Sequence, residues 1–222
     1  MDLMALVRSI EELLYEILSW FIFLPLTLWY CIRFPLRMMR YGASEIADES
    51  EHRFAEALSP PILMFLTIGI LHLFDSGISA PQNALVSWIT EDDRNLLVFR
   101  AVVFSLLPLL LASVDLRLRR SALTRETLRP AFYSHSYVAA PFILALCIAM
   151  IIAQQDFAGN LTLAFLIVLA GTIWYVAAVV NWLRHDMQLS LVKSIAVTVG
   201  TLVGFVALVL SFFVAIAVWP TA

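Results

Sequence analysis

Ionisable residues set inside apolar stretches are where this chain could do chemistry. His72 and Asp75 lie in the stretch that opens at Pro60-Pro61, and a spacing of three places both on one helix face. Counting from Pro61 at ~1.5 Å per residue, His72 lies roughly 16 Å into a span and Asp75 about 21 Å. The next apolar stretch enters from the opposite surface near Asn95. Arg100 then lies about 8 Å below that surface, close to the depth of Asp75, and Ser105 falls near the level of His72. Charges inside a bilayer are costly, so they face protein or a water-filled cavity and hold partners. One reading is a proton or solute site formed by His72, Asp75, Arg100 and Ser105. A second is a structural Asp75–Arg100 pair that pins two helices. A third ends the span at Phe74 and leaves Asp75 wet. The two structural readings carry more weight, because the remaining spans hold almost no charge from which to build a relay.

A second cluster is basic. Arg117, Arg119, Arg120, Arg125 and Arg129 crowd the connector 115–136. Basic clusters beside a cytoplasmic membrane surface attract anionic lipid headgroups, although arginines also mark cytoplasmic loops with no further role. Gly200 and Gly204, with Ala196 upstream, form a small-residue stripe of the kind that lets helices approach closely, within the chain or in a second copy. The sequence lacks a nucleophile elbow, a phosphate-cradling glycine loop and a His-Glu-x-x-His pair. His52, His72, His135 and His185 are scattered. Cys31 and Cys147 match neither a metal-ligand spacing nor a disulfide framework. The expectation is a protein that is not an enzyme, with no cofactor and no metal. The arginines lack interleaved aromatics, so no nucleic-acid partner is expected.

The elements that must position these residues follow from composition. Of 222 residues, 62% are hydrophobic and 14% charged, and mean hydropathy is +0.90. Soluble domains run at about 45–50% apolar and about 25% charged, which excludes an ordinary soluble enzyme, a secreted disulfide scaffold and a disordered tail. The apolar runs are long and unalternated, unlike transmembrane barrel strands. The fold class is therefore all-α: an integral membrane bundle with about five spans of roughly 20 residues. The spans are expected near Pro61–Ala80, Leu96–Val114, Tyr137–Ala153, Leu161–Leu183 and Ser194–Val218. Residues 3–21 carry an apolar stripe through Leu6, Ile10, Leu14 and Ile17, with Arg8, Glu12 and Glu16 opposite. That pattern predicts an N-terminal amphipathic helix lying in the interface rather than a cleavable signal. Trp20 to Ile32 is apolar but short and contains Pro25, so residues 1–40 read as interfacial or re-entrant. A sixth span there is the alternative. Two units result: a cytoplasmic amphipathic and acidic segment over 1–60, and a five-span bundle over 61–222.

Orientation comes from the connectors. Arg33, Arg37, Arg40 and Arg53 precede the first expected span, the five arginines occupy 115–136, and Arg184 and Lys193 flank the last connector. Glu91, Asp92, Asp93 and Asp156 mark the opposite side, where Arg94 is the sole cation. Excess Lys and Arg mark the cytoplasmic side, so the N-terminus is expected inside and Trp219–Ala222 outside. Trp182 and Trp219 fall at expected interfaces, where indole rings anchor; Trp174 falls mid-span and is expected to pack in the bundle.

Several stretches resemble a known family. They are Phe23-Leu24-Pro25 with the arginines that follow, Leu58-Ser59-Pro60-Pro61, Leu106-Leu107-Pro108-Leu109, Phe132-Tyr133-Ser134-His135-Ser136-Tyr137, and Trp174-Tyr175 to Trp182. With five spans and a cytoplasmic N-terminal region, they look like the Yip-domain superfamily, and more closely like a bacterial branch often labelled permeases. The resemblance implies a non-enzymatic protein of the bacterial inner membrane. Such a protein acts through lipids, anionic lipids included, through other membrane proteins or a second copy of itself, or by passing a small solute. The alternative is a proton-coupled or small-solute transporter with its polar site between the first two spans.

Overall fold

The computed structural model describes residues 3–47, 54–74 and 92–218. These residues form helices α1 (Leu3–Arg33), α2 (Pro35–Ala47), α3 (Pro60–Leu73), α4 (Asp93–Leu118), α5 (Arg125–Ala153), α6 (Asn160–Asp186) and α7 (Leu191–Val218), with no strand among them. The chain is all-helical, and five of these helices are long and apolar enough to cross a membrane: Arg8–Arg33, Asp93–Leu118, Arg125–Ala153, Asn160–Asp186 and Leu191–Ala215.

The number agrees with expectation, but one member differs. The stretch expected as the first span forms α3 from Pro60 to Leu73, shorter than the other five; the rest of that expected span, 75–80, lies outside the described residues. In its place α1 qualifies. Pro25 removes one backbone donor without ending the helix, which continues to Arg33. Membrane helices tolerate such prolines because neighbouring groups take up the freed carbonyl, and Pro108, Pro130 and Pro141 sit inside α4 and α5 in the same way. The two halves of α1 have different surroundings. Trp20, Phe23, Leu24 and Leu28 pack on the core around buried Thr27 and Cys31. Ile10, Leu13, Leu14, Ile17 and Leu18 are exposed, so no other described element covers them.

The core is organised around α5. It packs against α1, α2, α3, α4 and α6, while α7 rests on α4 and α6. Accordingly 56% of the apolar window of α5 is buried within the chain, against 6% for α1 and for α7. Residues on both sides of the expected division at residue 60 share this core: Cys31, Met38, Met39 and Leu58 join Leu107, Tyr137 and Val179. Polar ties reinforce the joint. The Leu58 amide donates to Thr27 Oγ1 at 3.1 Å, and Tyr137 Oη donates to the Leu58 carbonyl at 2.8 Å. Ser134 Oγ donates to the Met39 carbonyl at 2.7 Å, and Arg40 pairs with Asp186 at 3.0 Å.

The connection between α4 and α5 is short. α4 runs on through Leu118, and Arg120 closes it in the left-handed region at φ 55° while the Ser121 amide donates to the Leu116 carbonyl. This is the usual way a helix satisfies its last carbonyls. Thr124 then caps α5: its side chain accepts from the Thr127 amide, and Thr127 Oγ1 accepts in turn from the Thr124 amide. The expected loop 115–136 therefore contracts to residues 119–124, and most of its arginines stand on helices.

Candidate functional site

Three places gather the chemistry, all of them against α4. The first is a cavity of about 190 Å³ between α3, α4, α5 and α7. Its walls include Ile68, Leu96, Phe99, Phe104, Cys147, Met150 and Phe213, and among the described residues its only charged or imidazole groups are His72 and Arg100. Arg100 Nη1 donates to His72 Nδ1 at 2.9 Å. Because a guanidinium can only donate, Nδ1 is the acceptor and the imidazole proton sits on Nε2. His72 and Arg100 both belong to the expected polar set, but their contact was not foreseen: depth had matched Arg100 with Asp75 and His72 with Ser105. Asp75 lies outside the described residues. Ser105 does not face His72; it lines a different hollow on α4. Matching depth had ignored azimuth: five residues turn the helix by roughly 140° beyond one full circle.

The second place was not foreseen as a site. Asp115, near the C-terminal end of α4, is buried and accepts three hydrogen bonds. Arg119 Nε donates to Oδ1 at 2.6 Å, while His135 Nε2 and Trp182 Nε1 donate to Oδ2 at 3.1 and 3.2 Å. His135 comes from α5 and Trp182 from α6, so one carboxylate clamps three helices. His135 is itself buried, and its Nδ1 has no hydrogen-bond partner. Trp182, expected at a wet interface, is instead buried and tied to Asp115. Trp174 is partly buried against the core, as expected, and donates to the Ile32 carbonyl at 3.3 Å. The available signal was the i,i+4 pairing of Asp115 with Arg119, which extends a helix past the apolar run; ending the span at Val114 hid it.

The third place is an open groove of about 650 Å³ along α4 and α5. Leu97, Val98, Ala101, Val102, Leu106 and Leu109 form one wall, Leu128 and Phe132 the other, and Phe65 of α3 joins them. Arg125 and Arg129 stand at one end, one helical turn apart. The Arg129 guanidinium also sits over the Tyr133 ring at 5.6 Å.

The five arginines proposed for headgroups therefore separate. Arg119 is committed to Asp115, Arg125 and Arg129 line the groove, and Arg117 and Arg120 are exposed away from it. Gly200 and Gly204 are not at a helix contact within the chain, since a Cβ added to either meets nothing within 4 Å. The packed face of α7 is mixed: Val197, Leu202 and Phe205 rest on the core, while Ser194 and Thr198 are fully buried, each hydroxyl donating to the carbonyl four residues earlier. Close helix approach occurs at Gly171, where an added Cβ would lie 2.9 Å from that of Ala145. Among the described residues no group of three His, Cys, Asp or Glu side chains is arranged to hold a metal ion.

No protein-family model matches this chain, and no curated protein and no solved structure matches it either.

Proposed function

We propose that this chain is a non-enzymatic integral membrane protein, of the Yip-like or permease-like kind that its sequence resembles, and that it works by engaging lipid within the bilayer. The observation that carries this reading is the hydrocarbon lining of both hollows beside α4. A pathway for a hydrated solute needs polar groups along its length to replace water. Among the described residues the cavity offers only the His72–Arg100 pair, and the groove is apolar except for Ser105, Arg125 and Arg129. A hydrocarbon chain fits such walls without stranding polar groups.

In this proposal the membrane is a bacterial inner membrane. The basic residues put the α4–α5 and α6–α7 connections in the cytoplasm and the end of α7 outside. Arg40, paired with Asp186 at the end of α6, brings α2 to the cytoplasmic side. The N-terminus stays cytoplasmic if α1 lies in the interface. That placement keeps Glu11, Glu12 and Glu16 out of hydrocarbon, where carboxylates are costly.

The test is lipid retention. The protein, purified in mild detergent and washed extensively, is examined by native mass spectrometry. Phospholipid adducts that survive washing are expected. A protein that sheds all phospholipid, yet carries a small ion across proteoliposomes and loses that flux with His72→Ala, would replace this reading with transport at the His72–Arg100 cavity.

A further inference from the structure

We propose that the groove along α4 and α5 seats one anionic phospholipid, with an acyl chain against α4 and the phosphate between Arg125 and Arg129. This rests on the lipid-engaging reading above and adds the lipid class and its seat. Length is the first argument. The apolar wall from Leu97 to Leu109 extends about 18 Å at 1.5 Å per residue, slightly more than half of the ~30 Å hydrocarbon core. An acyl chain entering from the arginine end meets Leu109 and Leu106 first, and the Leu97 end of the wall continues toward the opposite surface.

Charge is the second argument. Arg125 and Arg129 lie at the same end of the groove, and among the described residues no carboxylate lines it. Both side chains are exposed rather than committed to an internal carboxylate, in contrast to Arg119. Arg125 is the first residue of α5, so the positive end of the helix dipole adds to the field at that point. Arginine presents a planar fork suited to phosphate oxygens.

The third argument is continuity. At positions 125, 128, 129 and 132 one face of α5 carries Arg125 and Arg129 with Leu128 between them, and reaches Phe132 within two turns. A single face thus changes from charged to hydrocarbon, as a phospholipid does from phosphate to acyl chain.

The experiment is native mass spectrometry of the full chain in detergent micelles holding equal amounts of phosphatidylglycerol and phosphatidylcholine. Two juxtamembrane arginines predict a preference for the anionic lipid of roughly tenfold to thirtyfold. Arg125→Gln with Arg129→Gln should abolish the preference, whereas Arg117→Gln with Arg120→Gln should keep it. Val102→Trp, which fills the wall, should reduce retention of both lipids alike. Circular dichroism and a monodisperse elution profile confirm that each variant folds. Equal retention of the two lipids by the wild type, or a preference that survives the Arg125/Arg129 change, would overturn the inference while leaving lipid engagement standing. Displacement of the lipid by millimolar inorganic phosphate would also overturn it, since the arginines would then serve a free anion. Retention of no phospholipid at all would bring down the lipid-engaging reading as well.

Discussion

Replacing Asp115 by Ala removes the acceptor for three donors at once, and the structure sets the size of the loss. Trp182 Nε1 and His135 Nε2 are buried and would be left without a partner. A buried donor so stranded costs about 1–3 kcal/mol. The Arg119 side chain is 40% exposed, so water replaces much of what it loses and its share is about 0–1 kcal/mol. The sum is about 2–7 kcal/mol, which brackets the roughly 3–5 kcal/mol seen when one partner of a buried ion pair is removed. Trp182→Phe deletes one bond and keeps most of the ring volume, so about 1 kcal/mol is expected. Arg119→Gln should cost no more than that. The assay is SDS titration of the protein in mixed micelles, followed by circular dichroism. Because all three bonds converge on one carboxylate, Asp115→Ala combined with Trp182→Phe should cost less than the sum of the single changes. A loss below about 1 kcal/mol for Asp115→Ala, or strict additivity, would show that the carboxylate does not clamp α4, α5 and α6.

Other expectations follow from the same geometry. Gly171→Ala should destabilise by about 1–3 kcal/mol through overpacking against Ala145, whereas Gly200→Ala and Gly204→Ala should be neutral or gain up to about 1 kcal/mol of helix propensity; the same SDS titration reads both. His72→Leu should cost roughly 0.6–1.7 kcal/mol, the range measured for hydrogen bonds between membrane helices, and His72→Gln, which keeps an acceptor for Arg100, should recover most of it in that assay. With Cys31 and Cys147 replaced, cysteine introduced at Ser121 or at Ser9 should react with an impermeant maleimide only after permeabilisation; labelling of Ser121→Cys in intact cells would invert the bundle, and labelling of Ser9→Cys alone would show that α1 crosses the membrane.

How much was legible in the sequence depends on what each physical signal reports. Apolar run length reports hydrocarbon contact, so α4, α5, α6 and α7 were located together with their order. It does not report where a helix stops. The Asp115–Arg119 pair and the Thr124–Thr127 cap carry α4 and α5 beyond the apolar runs, so residues read as loop are helical and Asp115 passed as a connector residue. Pro25 and the shortness of Trp20 to Ile32 counted against a span there, yet α1 continues through Pro25 to Arg33. That α3 and α4 are neighbours was legible because two helices joined by one connection tend to pack together; the His72–Arg100 contact was not, since depth paired Arg100 with Asp75 and His72 with Ser105. Ser105 failed because rotation about the helix axis was left out of the argument. The glycine stripe meets no other helix among the described residues, for a reason special to membranes. The lipid-facing surface is as apolar as the core, so small residues do not by themselves reveal which face of α7 packs, and the face that does pack carries Ser194 and Thr198. The clamp of Asp115, His135 and Trp182 joins residues up to 67 positions apart, beyond the reach of any local spacing rule.

Lipid occupancy of the groove is the most direct test of the account, and photolabelling measures it on the unmodified chain. Phosphatidylglycerol with a diazirine in its acyl chain is reconstituted with the protein, irradiated, and the adducts are located by peptide mass spectrometry. Adducts are expected to concentrate on the groove wall of α4, at Ala101, Val102 and Leu106, and to fall when Arg125 and Arg129 are both changed to Gln. Adducts spread evenly over that wall and over the exposed outer faces of α6 and α7, at Ile173 and Val203 for example, would contradict it, because lipid would then meet the protein only as a solvent.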